Sequence, residues 1–330
     1  MSSRLVTARG WVTRLLSSEA IAAVVADGWP EPMVHAGFRL HEHTWNVDAI
    51  IREIQRENVP VERLPRHVQH VWPALPGAGV TPLLYSYLVG VPRNTFRPSR
   101  RGTNFGTLAQ EVGLERQDEI YADVVVASGS DDTIAALQKL NHARVVGYGH
   151  RVSIALASKL DAVGHAADVV MWHQQGCFSL RGIVFVGSDH DARTFCAALA
   201  EQIAEHENCW DARPGELGLG QRAQALGVAE FTSEVFLAHY GFVTLSAQPL
   251  DGAWRAPHAV QVVRVERAEQ ITSAVAIARH HVQGVSIDDE RFRDVAWRLG
   301  ATRVCRPGSL QAPEPEWQHD GLPNVGVLIE

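Results

Sequence analysis

The chain reads as an α/β protein with a parallel sheet, arranged as two domains or as one large α/β unit. Three observations lead there. The length, 330 residues, exceeds what one small core can organise. Apolar residues make up 46% and charged residues 20%, the balance of an ordinary globular protein. From residue 70 onward, short apolar runs alternate with segments of helical period, the pattern of βαβ units.

In chain order, residues 11–26 and 46–57 carry apolar side chains at helical spacing. Pro60, Pro65, Pro73 and Pro76 then interrupt helix. His70–Trp72 reads as a strand and Thr81–Val89 as a helix. Asn94–Phe96 and Gly102–Val112 form the next pair. Tyr121–Ala127 is a buried strand, followed by a helix over Asp131–Leu140 and a strand over Ala143–Tyr148. Beyond residue 180 come a strand at Gly182–Val186, a helix at Asp189–His206, a strand at His258–Val265 and a helix at Glu269–Val282. A helix over Asp289–Leu299 is closed by Gly300, and Ala301–Cys305 is a strand. Prolines keep 311–317 extended.

Composition also excludes. A formal charge of −7 argues against a nucleic-acid partner, which needs a basic face. No apolar run is long enough for a membrane span. The stretch Met1–Leu5 opens no secretory signal, so a soluble, cytoplasmic protein is expected. Sixteen histidines are present, but His41/His43, His67/His70 and His280/His281 lie on polar stretches and are expected at the surface. The four cysteines form no C-x-x-C and there is no H-E-x-x-H, so no metal is expected.

Chemistry concentrates in Asp168–Ser179. An apolar run ends in a polar, glycine-containing turn that presents Cys177, and a strand follows at once. A thiol at such a junction can be exposed, with backbone N–H groups beside it, and is then reactive. Cys196 falls in an apolar helical pattern and is expected in the core. Ala127–Thr133 lies at the carboxyl end of a strand. Gly129 permits a tight turn there, and Ser130 or Asp131 caps the next helix. Two readings stay open for it: a plain N-cap, or a helix N-terminus that receives a phosphate. Arg93, Arg97, Arg100 and Arg101 are either a solvated loop or a clamp for a charged cofactor.

Five fragments in order resemble the LuxC-type acyl-CoA reductases, a branch of the aldehyde dehydrogenase superfamily. They are Val126–Thr133, Val146–Ser153, Gln174–Ser179, Gly300–Gly308 and Trp317–Gly321, spread over roughly residues 70–330. The resemblance implies an aldehyde dehydrogenase-like fold: a doubly wound parallel cofactor-binding sheet, a second α/β catalytic domain, and an active site between them. It places a nicotinamide-cofactor domain with a short helical N-terminal region at 1–150, a catalytic domain at 151–308 and a C-terminal tail at 309–330. It further implies that Cys177 attacks an acyl thioester, with Gln174, His173 and His150 as its catalytic neighbours. Arg97, Pro98, Ser99, Gly129, Ser130, Thr133, Gly147 and Gly149 match cofactor-binding positions. NADPH is the implied cofactor, with NADH the alternative. The implied partner is an acyl-CoA or acyl-carrier-protein thioester, and a homo-oligomer or a biosynthetic partner protein is a further option.

Where the superfamily has a base glutamate in Glu-Leu-Gly-Gly, this chain has Gly147-Tyr148-Gly149-His150. Without a carboxylate, water is a poor competitor for an acyl-cysteine, which favours thioester reduction over aldehyde oxidation. The superfamily's oxyanion asparagine aligns with Ala78, the aspartate before glutamine with His173, and a cofactor lysine with Arg97. Two alternative functions therefore stand beside the reductase: a catalytically silent partner subunit and an aldehyde-oxidising dehydrogenase.

Overall fold

A computed structural model describes residues 2–140, 142–252 and 256–329. The chain divides into two compact units, one formed by 1–150 with 314–330 and one by 151–313.

The first unit opens with four helices, α1 (Ser2–Leu15), α2 (Ser18–Ala26), α3 (Glu31–Thr44) and α4 (Val47–Glu57). Then follow β1 (His67–Val71), α5 (Val80–Val89), β2 (Arg93–Arg97), α6 (Thr103–Glu111), β3 (Glu115–Arg116), β4 (Val124–Ser128), α7 (Asp131–Gln138) and β5 (Arg144–Tyr148). All four strand pairings are parallel, in the order β3-β2-β1-β4-β5. The winding direction reverses between β1 and β4, and open sheets of this kind take ligands at the strand carboxyl ends at that point. Val68, Val124, Val126 and Val146 cover one sheet face together with Val327 and Leu328 from the C-terminus. Val125 and Ala127 face Ile134 and Leu137 of α7 on the other.

The second unit holds β6 (Val152–Ala157), α8 (Val163–Val170), β7 (Leu180–Val186), α9 (Asp189–Cys209), α10 (Glu216–Thr232), β8 (Ser233–Leu237), β9 (Phe242–Ser246), β10 (Ala259–Val265), β11 (Val282–Ile287), α11 (Arg293–Arg298) and β12 (Arg303–Cys305). Its sheet runs β12-β11-β6-β7-β10-β9-β8, parallel except for the edge strand β8. Ile154, Leu156, Val184, Val263, Val285 and Phe292 form its core. Among the described residues no helix is long and apolar enough to cross a membrane, and no three metal-ligating side chains converge.

Local chemistry sets the boundaries. Asn46 accepts the Ala49 N–H at 3.0 Å to cap α4, and Asn58 ends that helix in the left-handed region. Ser130, not Asp131, caps α7 by accepting from Thr133 N. Ser188 does the same for α9.

The structure corrects four expectations. Residues 11–26 form two helices, not one, because the chain turns at Leu16–Ser17. Residues 269–282 are not a helix. Three single 3₁₀ turns occupy them, because the main chain of Ala274 and Ala276 pairs with Leu250 at 2.7 Å on both sides and so leaves the helical path. Residues 311–317 are not extended throughout but turn, with Trp317 N donating to Glu314 O. His41, His67 and His70 are buried rather than at the surface. β1 is an inner strand, so His67 and His70 must satisfy their rings locally, on Thr95 Oγ1 (2.9 Å) and Ser86 Oγ (2.8 Å). His41 contacts Pro76 O at 3.0 Å and stacks flat on Trp45. Of the N-terminal stretch, Met1 lies outside the described residues.

Burial pushes the imidazole of His41 down to about 4 and that of His70 to about 3. The folded chain thus refuses a proton that the unfolded chain takes up below the ordinary value of 6.5. Stability from this source is full above that value and falls as the pH drops toward 4. His41→Gln can still donate to Pro76. It should remove ~2 kcal/mol of the stability lost between pH 7 and pH 5, read from urea unfolding midpoints. An unchanged loss in the variant refutes the assignment.

Candidate active site

Cys177 is half-buried in the turn before β7. The segment leading to it is unusual. Trp172, His173 and Gln174 all have positive φ, at 55°, 50° and 60°. Each non-glycine residue in that region costs about 1–2 kcal/mol, so three in a row persist only if their surroundings force them. Gln174 supplies much of that force. Its buried side-chain amide donates to Leu180 O at 2.6 Å and Ala259 O at 3.0 Å. Arg181 donates to the Gln174 carbonyl at 2.5 Å and reaches its side-chain oxygen at 3.4 Å. Trp172 is buried beside them. The run reverses the chain so that Cys177 follows the bend.

The turn itself is pinned. Ser153 Oγ on β6 donates to the Cys177 carbonyl at 2.8 Å. Gln175 N donates to Trp172 O, Gly176 N to Ser179 Oγ, and Ser179 N to Gly176 O. These three amides are spent within the loop. From the far side, Gln311 donates to Ser179 Oγ at 3.0 Å. Arg303 places its guanidinium over Phe178 and donates to the carbonyls of Ser309, Leu310 and Ala312. Asp168 on α8 accepts from Gly308 N (2.7 Å) and Leu310 N (3.0 Å), although burial raises its carboxyl to about 8. Arg181, Ser153, Gln311 and Arg303 gave no signal in the sequence. Each is an isolated polar residue whose role exists only once strands distant in sequence are side by side.

Cys177, Gln174 and His173 therefore share one loop, and burial pushes the imidazole of His173 down to about 4, with His258 adding to the effect. His150 is not part of that loop. It is exposed at the end of the first unit, and its N–H donates to Asp131 at 2.7 Å. Cys196 is buried in α9 as expected, and burial pushes its thiol up to about 12.

The expected cofactor residues all fall at carboxyl ends of the first unit's strands. Pro98 and Ser99 help line a small, partly open cleft, together with Trp29, Trp72 and the turn Pro73–Gly77. Arg97 ends β2, half-buried, opposite Val71. Gly129, Ser130 and Thr133 form the β4–α7 turn, and Gly147 and Gly149 lie at the end of β5. A side chain at Gly147 would strike Ile134 at 2.3 Å, and one at Gly149 would strike Asp131, so both glycines permit close approach of α7. Two carboxylates, Asp131 and Asp132, already occupy the first turn of α7. That turn is less suited to a second anion than the cleft is. Of the four arginines, Arg93 is engaged with Glu115 and Gln117. At the β5 end, His319 stacks on Tyr148 with ring centres 3.8 Å apart, beside Asp320.

Residues 112–226, which include the Cys177 loop, match the family model of the acyl-CoA reductase LuxC. The chain is similar to LuxC over that segment. Over 240 residues, 67% of its length, it is 26% identical to long-chain acyl-protein thioester reductase 2 of Photobacterium leiognathi. It spans about half of that relative's length, 48%. Solved structures give the fold. The Δ-pyrroline-5-carboxylate dehydrogenase of Mycobacterium tuberculosis superposes with a TM-score of 0.68 at 12% identity, over 99% of this chain and 77% of that one. A putative methylmalonate-semialdehyde dehydrogenase from Sinorhizobium meliloti, complexed with NAD, does so with 0.66 at 14%, over 95% and 77%. The chain thus has the aldehyde dehydrogenase fold.

Gln174 is the residue on which the bend depends. Gln174→Ala leaves two buried carbonyls unpaired and keeps a side chain at positive φ. It should cost about 2–4 kcal/mol, seen as a lower melting temperature. A loss under about 0.5 kcal/mol would show that the bend is held by other contacts.

Proposed function

We propose that this chain reduces an acyl thioester to an aldehyde with NADPH, through a thioester on Cys177. The observation that carries the reading is the strained left-handed run before Cys177. Strain of this kind concentrates at functional sites, and here every bond that maintains it serves to present one thiol. The similarity to acyl-protein thioester reductases points to the same chemistry.

The residues fit a dinucleotide. The strand order reverses at β1 and β4, and the cleft beside it is lined by Trp72, Pro98 and Ser99. Arg97 stands at the end of the neighbouring strand and suits a 2′-phosphate. When bound, the nicotinamide supplies a hydride. The protein's own part is covalent. The Cys177 thiolate attacks the acyl carbon, a new C–S bond forms, and the carrier leaves as its thiol. Direction follows from the segment Gly147–His150, which carries no carboxylate of its own where the superfamily has its glutamate; the carboxylates nearby are Asp131, which accepts the His150 N–H, and Asp320, beside the Tyr148–His319 stack. Tyr148-Gly149 offers no carboxylate to activate water, and the absence of a general base typically slows such a step about 10²–10⁴-fold. The acyl-cysteine therefore survives for reduction.

Incubation with a long-chain acyl-CoA, followed by peptide mass analysis, should find the acyl group on Cys177 and none in Cys177→Ala. Absence of any adduct across chain lengths rejects the reading and leaves a silent partner subunit.

Arg97→Ala should weaken NADPH binding roughly 10–100-fold and leave NADH nearly unchanged, measured by cofactor fluorescence. Equal affinities for the two cofactors in the unmodified protein would remove the preference for NADPH.

A further inference from the structure

One buried carboxylate takes no part in the proposed reaction. Asp168 on α8 is 1% exposed. Taking a carboxylate out of water is unfavourable unless several donors meet it. Here the donors are main-chain groups of a later segment, Gly308 N at 2.7 Å and Leu310 N at 3.0 Å. That segment lies so close to α8 that a side chain at Gly164 would strike Pro307 O at 2.7 Å. Gly308 itself has φ of 82°, a conformation that glycine adopts without strain. One carboxylate and two glycines thus dock residues 307–311 on α8.

The docked segment reaches the Cys177 turn at two points. Gln311 Nε2 donates to Ser179 Oγ at 3.0 Å, and the same oxygen accepts the Gly176 N–H at 3.1 Å. Gly176 and Ser179 bracket Cys177 in the chain. Leu310 meets Phe178 over Gly284 of β11, where a Cβ would lie 2.9 Å from the first and 3.1 Å from the second. The Arg303 guanidinium stands 5.6 Å from the centre of the Phe178 ring and donates to the carbonyls of Ser309, Leu310 and Ala312. A third tie comes from the sheet. Ser153 Oγ donates to the Cys177 carbonyl at 2.8 Å and accepts the Gly284 N–H at 3.1 Å. The nucleophile's own carbonyl and the residues on both sides of it are therefore fixed, and every one of these bonds lies within the second unit.

We infer that Asp168 and Gln311 are positioning residues for Cys177, acting through the docked segment 307–311 and Ser179. This rests on Cys177 being the nucleophile. Gln311 steadies the hydroxyl that joins Gly176 to Ser179, and Asp168 keeps the main chain of Gln311 within reach of it. Releasing either residue lets the turn open. The half-buried thiol then becomes more accessible to a small reagent, and it spends less time where it attacks an acyl carbon.

The test compares alkylation of each cysteine by iodoacetamide in the full chain at one pH, read by peptide mass analysis. Gln311→Ala should speed alkylation of Cys177 roughly 3–10-fold, the effect of losing one hydrogen bond. Cys209, exposed on α9, should react as before, and Cys196, buried in the same helix, should stay unmodified. Gln311→Glu can accept the Ser179 O–H and should restore the original rate. Asp168→Asn offers one acceptor where there were two and should behave as Gln311→Ala does. If that buried variant fails to fold, the two Gln311 variants decide by themselves. Acylation of Cys177 by a long-chain acyl-CoA should move the opposite way and slow by a similar factor in Gln311→Ala. Alkylation of Cys177 unchanged in Gln311→Ala, a rise shared by Cys196, no restoration by Gln311→Glu, or acylation that is not slowed overturns the inference. If the unmodified protein forms no acyl adduct while the contrast in alkylation holds, the hold of this segment on the turn stands and the reductase reading alone fails.

Discussion

Three consecutive left-handed residues decide where the thiol of this protein can be. Trp172, His173 and Gln174 could each relax to ordinary backbone on its own. They do not, because Gln174 is fastened to two strands and Arg181 grips its carbonyl. The bend is thus a property of the sheet rather than of the loop. Parallel pairing of β7 with β10 creates the two carbonyls that Gln174 needs, and only then can the strained run form. Where Cys177 sits depends on whether that sheet is assembled.

The two units solve the same problem of covering a parallel sheet in different ways. In the first, small helices and the returning C-terminus cover both faces, and the strands nearest the middle are mostly valine. The cost is that polar residues on β1 are forced inside, where burial lowers the imidazoles of His67 and His70 from their ordinary value. In the second, seven strands leave more face to cover, and loops do part of the work. The segment around 306–312 is laced by Arg303 and Asp168 onto the Cys177 turn. Packing and presentation of the thiol are here the same set of bonds.

Alternating apolar and helical segments were legible wherever period and length agreed. β2, β4, β5, β7, α7 and α9 lie within a few residues of where their patterns put them. The pattern misled at 269–282, where alanines and isoleucine suggest helix but pairing with Leu250 wins. It misled again for His41 on α3 and for His67 and His70 on β1, since polar neighbours in sequence say little about which residues the fold buries. The thiol loop was visible as an apolar run closing on Gly176 and Cys177. Its left-handed backbone was not, because Trp and Gln carry no preference for that region and one His among them does not announce three such residues in a row. Glu207 and His258, a buried pair in the second unit, were equally silent. They are 51 residues apart and meet through the folding of α9 against the β9–β10 side of the sheet.

The return of 314–330 to the first unit gives the molecule an order of assembly. Glu57 accepts the N–H groups of Asn324, Val325 and Gly326, Arg144 donates to Val327 O, and Tyr85 donates to Pro315 O. Every one of those bonds joins chain made early to chain made late. On the ribosome the first unit must wait, its valine-rich sheet face bare, until residues 327 and 328 emerge to cover it. The second unit, a single continuous stretch, can close beforehand. The half synthesised first is thus the half completed last.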